Sequence, residues 1–306
     1  MYSFHENLIH LHAARGSTRK LIWSVLRIDP RLEHFRKWTT KDWEFQFHVP
    51  QQRSSSLIAD LRNEHLLQSL LFPNRYQIVT FFDKTYPPLL RMVPDPPIVL
   101  YARGNLSFAT QMPSLSVVGT RNPSEQAWVV MNRILEPLCE QNWVIVSGLA
   151  RGIDSFAHKI ALNHKSPTIA VLAFGVNECY PKENSALLTR ISKNGLLLSE
   201  YPPFQKPQPW QFPERNRLIS GLGFGTLVIE AKEKSGSLIT VDQALEQGRE
   251  VYAVPGPIFS EESKGCHLLI QQGAKLVQNT YDLVEDWESR KVEWRRILEN
   301  KEVVFP

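Results

Sequence analysis

Hydrophobic positions change their spacing twice along the chain. Up to about residue 70 they recur at intervals of three and four, as in Leu21, Ile22, Val25 and Leu26, and again in Leu57, Ile58, Leu61, Leu66, Leu67, Leu70 and Leu71. That period places them on one face of a helix and predicts a small all-helical domain over residues 1–75. Tyr86-Pro87-Pro88 and Pro94-Asp95-Pro96-Pro97 cannot continue a helix, because proline lacks the N–H and restricts its predecessor. With a short strand candidate at 98–101, residues 76–114 read as a connector packed against the next domain.

From residue 115 short apolar runs alternate with helical stretches. Strands are expected at 115–118, 144–146, 168–173, 195–199, 226–229 and 250–254, with helices around 125–139, 155–162, 184–192, 216–222 and 239–247. The runs are continuously apolar, as in strands covered on both faces. Repeated β-α alternation predicts an α/β fold with a doubly wound, mostly parallel sheet over 115–306. A charged final helix is expected over 281–299.

Composition narrows the class. Of 306 residues, 42% are apolar and 22% charged, the proportions of an ordinary soluble globular protein. No apolar run reaches about 18 residues, so no membrane insertion is expected. The first residues lack the pattern of a secretory signal. Net charge is only +4, which permits a polyanion partner without demanding one. Cys139, Cys179 and Cys266 are widely spaced and form no Cys-x-x-Cys pair, which disfavours a disulfide framework or a cysteine-rich zinc site and points to the cytoplasm. Six of the nine histidines fall in the first 70 residues, but none shows a metal-ligand spacing; surface or boundary roles are the simpler reading.

In such a sheet, ligands bind beyond the carboxyl ends of the strands. The loops expected there carry unusual chemistry. The first contains Gly119, Arg121 and Ser124: glycine allows close approach, and arginine offers a forked cation to phosphate. The second contains Ser147, Gly148, Arg151, Gly152 and Asp154, a plausible phosphate-cradling turn with an Asp N-cap candidate. The third brings Tyr180 and Lys182 to a helix start. Further on, Arg215 and Arg217 are placed to address separate phosphates, and Ser235 and Gly236 open another helix. Any one Gly-rich turn is explained by tight packing. Several in succession, bearing cations and hydroxyls, point to a crevice for a polyanion. Tyr180, Trp210 and Phe212 could stack bases there, although core packing is the simpler role for each.

Motifs of enzyme chemistry are missing from this sequence. Gly221-Leu222-Gly223-Phe224-Gly225 precedes its strand instead of following it, and so fails as a dinucleotide fingerprint. There is no P-loop and no nucleophile elbow. Asp154 and His158 at i, i+4, and Glu200 and Glu230 at strand ends, read first as caps and structural pairs. No catalytic residue, cofactor or metal is expected.

The segments SVVGTRNPS, IVSGLARGIDSFAHKIAL, TIAVLAFGVNECYPKEN, GLLLSEYPP, FPERNRLISGL, LVIEAKEKSGSLIT, ALEQGREVYAVPG and GAKLV, in this order, resemble the DNA processing protein A family (DprA, also called Smf). The resemblance spans about half of the chain, and YPPLLRMVPDPPIVLYARG is similar to the family's lead-in. It implies a Rossmann-like core that binds single-stranded DNA without turnover, protects incoming strands during natural transformation, loads the RecA recombinase and acts as a homodimer. It also implies a sterile-alpha-motif-like (SAM-like) fold for the helical N-terminal domain. Matched motif by motif, Arg121 and Lys182 correspond to DNA-contacting cations. Ser147 and Gly148 match the family's phosphate loop, and Arg215 and Arg217 its Arg-Asn-Arg motif. Asn177 stands where many members have Asp, and Cys266-His267 where many have Thr-Asn. The dimer and RecA contacts are expected within 263–277. A looser resemblance, of Gly223-Phe224-Gly225-Thr226 with Glu230 to nucleoside-monophosphate phosphoribohydrolases, would instead make Glu230 and Arg217 catalytic, but the preceding Pro-Gly-Gly of that motif is missing.

Overall fold

The computed structural model of the chain describes residues 2–71 and 75–299. The expected helical domain takes in residues 72–74, and the expected core extends over residues 300–306; both stretches lie outside the described residues.

The N-terminal segment is helical: α1 (Phe4–Ala13), α2 (Arg19–Ile28), α3 (Thr40–Phe47), α4 (Gln51–Leu61) and α5 (Glu64–Leu71). Ser3 with Glu6 and Thr39 with Asp42 form capping boxes on α1 and α3, and Thr18 caps α2. Each cap satisfies backbone N–H groups that a helix start leaves open. Polar side chains tie the helices together. Arg36 donates to Asn7 Oδ1 at 2.7 Å and to the Leu61 carbonyl at 2.9 Å, and His10 Nε2 donates to the Asp60 carbonyl at 2.8 Å. His10 is therefore a buried structural residue, not a surface one.

The rest of the chain supplies β1 (Gln77–Thr80), α6 (Pro88–Arg91), β2 (Val99–Gly104), β3 (Ser114–Val118), α7 (Ala127–Glu140), β4 (Val144–Ser147), α8 (Ile153–Asn163), β5 (Thr168–Leu172), α9 (Ser185–Asn194), β6 (Leu196–Ser199), α10 (Gln211–Leu222), β7 (Gly225–Val228), α11 (Gly236–Glu246), β8 (Glu250–Ala253), α12 (Lys264–Gln271), β9 (Lys275–Leu276) and α13 (Tyr281–Glu299). The fold is α/β, with one mixed sheet in the order β1-β2-β6-β5-β4-β3-β7-β8-β9. From β6 to β9 every pairing is parallel; β2 pairs antiparallel with β6, and β1 antiparallel with β2. The connector is thus more than a lead-in: two of its segments extend the sheet.

Strand side chains alternate between two apolar layers, as the pleat requires. Leu115, Val117, Ile145 and Tyr252 face a core shared with α7, α8 and α13, where Trp143, Trp287 and Phe224 meet edge to face or tilted. Val118, Val144, Val146 and Ala253 face the layer formed by α9, α10 and α11. That second layer is continuous with the N-terminal helices, which dock through Trp23 on Phe81 and Phe4 on Phe82.

Chain direction through the sheet reverses at β3. From there β4, β5 and β6 are laid down on one side, and β7, β8 and β9 on the other. At such a switch point the loops beyond the strand ends diverge and leave a crevice.

Candidate nucleic-acid interface

The loops after β3, β4 and β5, with the start of α10, enclose a cleft of about 150 Å³ lined by Arg121, Gly148, Arg151, Tyr180, Phe212 and Arg215, together with Asn122, Ala150 and Pro181. Four of the residues expected from sequence therefore meet in one place: Arg121, Gly148, Arg151 and Arg215. Lys182 is exposed and follows the lining residue Pro181.

The loops are held rigidly by buried polar groups. The Asp154 carboxylate accepts from the Gly148 and Ala150 N–H groups at 3.1 and 3.3 Å. Burial pushes its carboxyl group up, and Arg215 opposes that push. Asn184 Nδ2 donates to the Leu149 carbonyl at 2.9 Å. Gly152 has φ +70°, and a Cβ there would stand 2.4 Å from the Thr120 carbonyl oxygen, so only glycine lets the second loop pack on the first. The first loop is pinned from the far side of the switch point. Glu230 accepts from the Ser124 N–H at 2.9 Å and also from its hydroxyl, while Thr120 N–H donates to the Glu230 carbonyl at 2.7 Å.

The cations differ in freedom. Arg215 is buried, donating to the Gly148 and Val171 carbonyls at 2.6 and 2.5 Å. Burial lowers its pKa to about 10, which still leaves it charged at neutral pH. Arg151 pairs with Glu183 at 2.8 Å, but both side chains are more than half exposed, so the pair is weak and open to exchange for a phosphate. Arg121 and Lys182 are exposed, and among the described residues no carboxylate pairs with either. Fixed backbone, one buried cation and three accessible ones make a surface suited to successive phosphates. Tyr180, 47% exposed, meets Phe212 edge to face at 5.6 Å and offers a ring to a base. Packing in the core was the simpler expectation for Tyr180 and Trp210, yet both are exposed.

Other expected residues lie elsewhere. Ser147 is buried, and its hydroxyl donates to the Val117 carbonyl at 2.7 Å; it supports the sheet end. Gly119 sits at the base of the first loop, where a Cβ would meet Ile153 at 2.7 Å. Ser235 caps α11 and Gly236 follows in open space, across the switch point from the cleft. Arg217 is not a companion of Arg215. It is buried, donates to the Asp95 carbonyl at 2.7 Å and forms an ion pair with Glu200, which also holds Arg19 at 3.1 Å. Residues 215 and 217 project to different sides of α10, as a helix requires at i, i+2. The same geometry separates the two residues that a hydrolase reading would unite, since Glu230 holds Ser124 and Arg217 holds Glu200.

Sequence reasoning did not single out Asn184 as a loop holder; its signal was only an amide at a helix start. It also did not group Glu136, Glu140 and His164, whose ligand-type atoms lie within 4.8 Å of one another at the C-terminal ends of α7 and α8. Asp154 is buried in the first turn of α8, with Gly152 at the cap position. His158 Nδ1 donates to Thr168 Oγ1 at 2.8 Å, and burial pushes its pKa down to about 3, so it is a neutral structural group. The three cysteines are free thiols. Among the described residues no helix is long and apolar enough to cross a membrane.

The family model of the DNA recombination-mediator protein A matches residues 77–288. The chain is 47% identical over 212 residues to the DNA processing protein DprA of Bacillus subtilis, covering 69% of this chain and 71% of that protein. It is 44% identical to the Streptococcus pneumoniae DprA over 70% of this chain and 75% of that one. The X-ray structure of DprA from S. pneumoniae superposes with a TM-score of 0.80 at 35% identity, over 91% of this chain and 97% of that one. A Helicobacter pylori DprA structure, described for its single-stranded DNA binding mode, superposes with a TM-score of 0.63 at 27% identity, over 70% and 96%.

Proposed function

The chain belongs to the DNA recombination-mediator protein A family, and on that footing we propose that it binds single-stranded DNA in the cleft formed by the loops after β3, β4 and β5. The observation that carries this reading is the convergence of Arg121, Gly148, Arg151 and Arg215 around Tyr180 and Phe212. Arg121, Arg151 and Lys182 take phosphates; Arg215 holds the Gly148 turn and lends its charge from below. Gly119 and Ser147 shape the loop bases. Ser235 and Gly236 meet the strand on the far side of the switch point. Arg217 serves the fold instead of the ligand. Phosphate contacts with ring stacking give tolerance of sequence, the property a general single-strand binder needs.

The finer roles follow the family. The protein protects incoming single strands in the cytoplasm during natural transformation, loads RecA onto them and acts as a homodimer. The helical unit (1–75) is read as SAM-like, 76–114 as the connector, and the sheet-bearing part (115–306) as a Rossmann-like core. Dimer contact is assigned to 263–277, beside a surface that leaves Ile258 and Phe259 more than four-fifths exposed. Light scattering that finds only monomer at high protein concentration would refute the dimer.

The test of binding is fluorescence anisotropy with labelled oligo-dT and a matched duplex. Preference for the single strand, reduced at least tenfold in Arg121→Ala/Lys182→Ala, is expected. Equal affinity of wild type and that variant would remove DNA from the cleft.

A further inference from the structure

A second cleft, of about 790 Å³, lies outside the site above, between the N-terminal helices and the loop that follows β6. Its chemistry is uneven. The floor is an ion-paired cluster with one carboxylate in excess: Arg19 meets Asp95 at 2.8 Å, Glu200 at 3.1 Å and Glu214 at 3.8 Å, and Arg217 shares Asp95 and Glu200. The helical wall is different. Lys20 and Arg27 are exposed there, and among the described residues neither has a carboxylate partner. Arg53 commits only Nε, to the Gly16 carbonyl. On the opposite wall Trp210 is 57% exposed and meets Tyr201 edge to face at 6.0 Å. Cations without carboxylate partners and an exposed indole in one roomy cleft are the elements of nucleotide binding.

Position links this cleft to the first. Phe212 lines the basic cleft, and Trp210 lines the larger one only two residues earlier. Gln211 between them is fully buried, its side-chain oxygen accepting the Gln208 N–H at 2.7 Å, which fixes the first turn of α10 as a rigid divider. Edge-on aromatic pairs, Tyr180–Phe212 and Tyr201–Trp210, thus stand on either side of one helix start.

We propose that the cleft between the N-terminal helices and the loop after β6 is a second nucleotide subsite, in which Trp210 stacks a base and Lys20 and Arg27 hold its phosphates, so that a single strand leaving the basic cleft over Phe212 continues onto the helical unit. This rests on the reading of the basic cleft as a single-strand site. It gives the helical N-terminal unit a direct role in DNA contact.

The test compares oligo-dT of about 6 nucleotides, which fills one subsite, with oligo-dT of about 16, which spans both. Wild type, Trp210→Ala, Trp210→Phe, Lys20→Ala/Arg27→Ala and Arg121→Ala/Lys182→Ala are titrated by anisotropy. Trp210→Ala should weaken the long oligonucleotide about tenfold and leave the short one unchanged, while Trp210→Phe retains most of the affinity. Lys20→Ala/Arg27→Ala should lower the log–log salt slope of the long oligonucleotide alone, by about 0.7 per phosphate lost. Long-strand affinity unchanged in both variants, with Arg121→Ala/Lys182→Ala still defective, would overturn the second subsite and leave the first standing. Equal losses for both lengths would also overturn it, since the residues would then act through the first cleft. Failure of wild type to bind either length would remove the first reading and the second with it.

Discussion

A methyl group on Gly148 would stand 2.0 Å from Arg215 Nη1 and 2.4 Å from its Cζ. Arg215 cannot swing aside, because it is buried and donates to two carbonyls. Gly148→Ala is therefore expected to cost about 1–3 kcal/mol, as overpacking does, and to weaken DNA binding by disturbing the turn; thermal melting and anisotropy check both. The arginines separate cleanly. Arg121→Ala should leave the melting temperature within a degree or two, as exposed substitutions usually do, while lowering DNA affinity. Arg217→Ala should do the reverse, lowering the melting temperature because it takes one of two cations from the buried Glu200 carboxylate and leaves only Arg19. Equal melting temperatures for the two variants would contradict the division. The places of Arg121 and Gly148 beside the cleft were legible in the sequence because both sit in turns directly after expected strands, whereas the buried place of Arg215 was not, since it depends on the carbonyls of Gly148 and Val171. Arg217 was not, because its partners come from positions 95 and 200, and only the folded chain brings these together.

At the scale of elements, the parallel strands were readable because burial on both faces leaves continuous apolar runs, such as VIV in β4, IAVL in β5 and LLL in β6. Strands β1 and β9 were not readable: four and two residues long, at the sheet's margins, they carry little pattern. Helix α10 begins five residues before the expected 216, since Pro213 falls within its first turn, where a missing N–H costs nothing. The loop from β3 to α7 depends on an element across the switch point, through Glu230 and Ser124. Glu230→Ala should loosen that loop at a cost of about 1–3 kcal/mol, visible as faster amide exchange around Arg121 with the sheet still protected. Unchanged exchange there would show that the loop holds itself.

For the whole molecule, buried histidines set the acid limit. Burial pushes His158 down to about 3 and also lowers His10, with Arg36 adding to the effect. Unfolded, each would bind a proton near pH 6.5. Between about pH 6.5 and 3 the unfolded chain therefore holds more protons than the folded one, so stability is full above this window and falls as pH drops through it. Melting temperature should decline across that range, and His158→Asn should flatten part of the decline. The continuity of the N-terminal helices with the sheet's apolar layer belongs to this scale too. Helical periodicity showed that those helices exist, but not where they dock, because docking depends on contacts such as Trp23 with Phe81 that no local pattern encodes. The central claim, that phosphates of a single strand lie against Arg121 and Lys182, is tested most directly by the salt dependence of oligo-dT binding. Each phosphate neutralised contributes about 0.7 to the log–log slope, so Arg121→Ala/Lys182→Ala should show a slope shallower by about 1.4 than wild type. A variant that binds more weakly with the wild-type slope, or binds equally well, would mean that these two cations do not touch the strand.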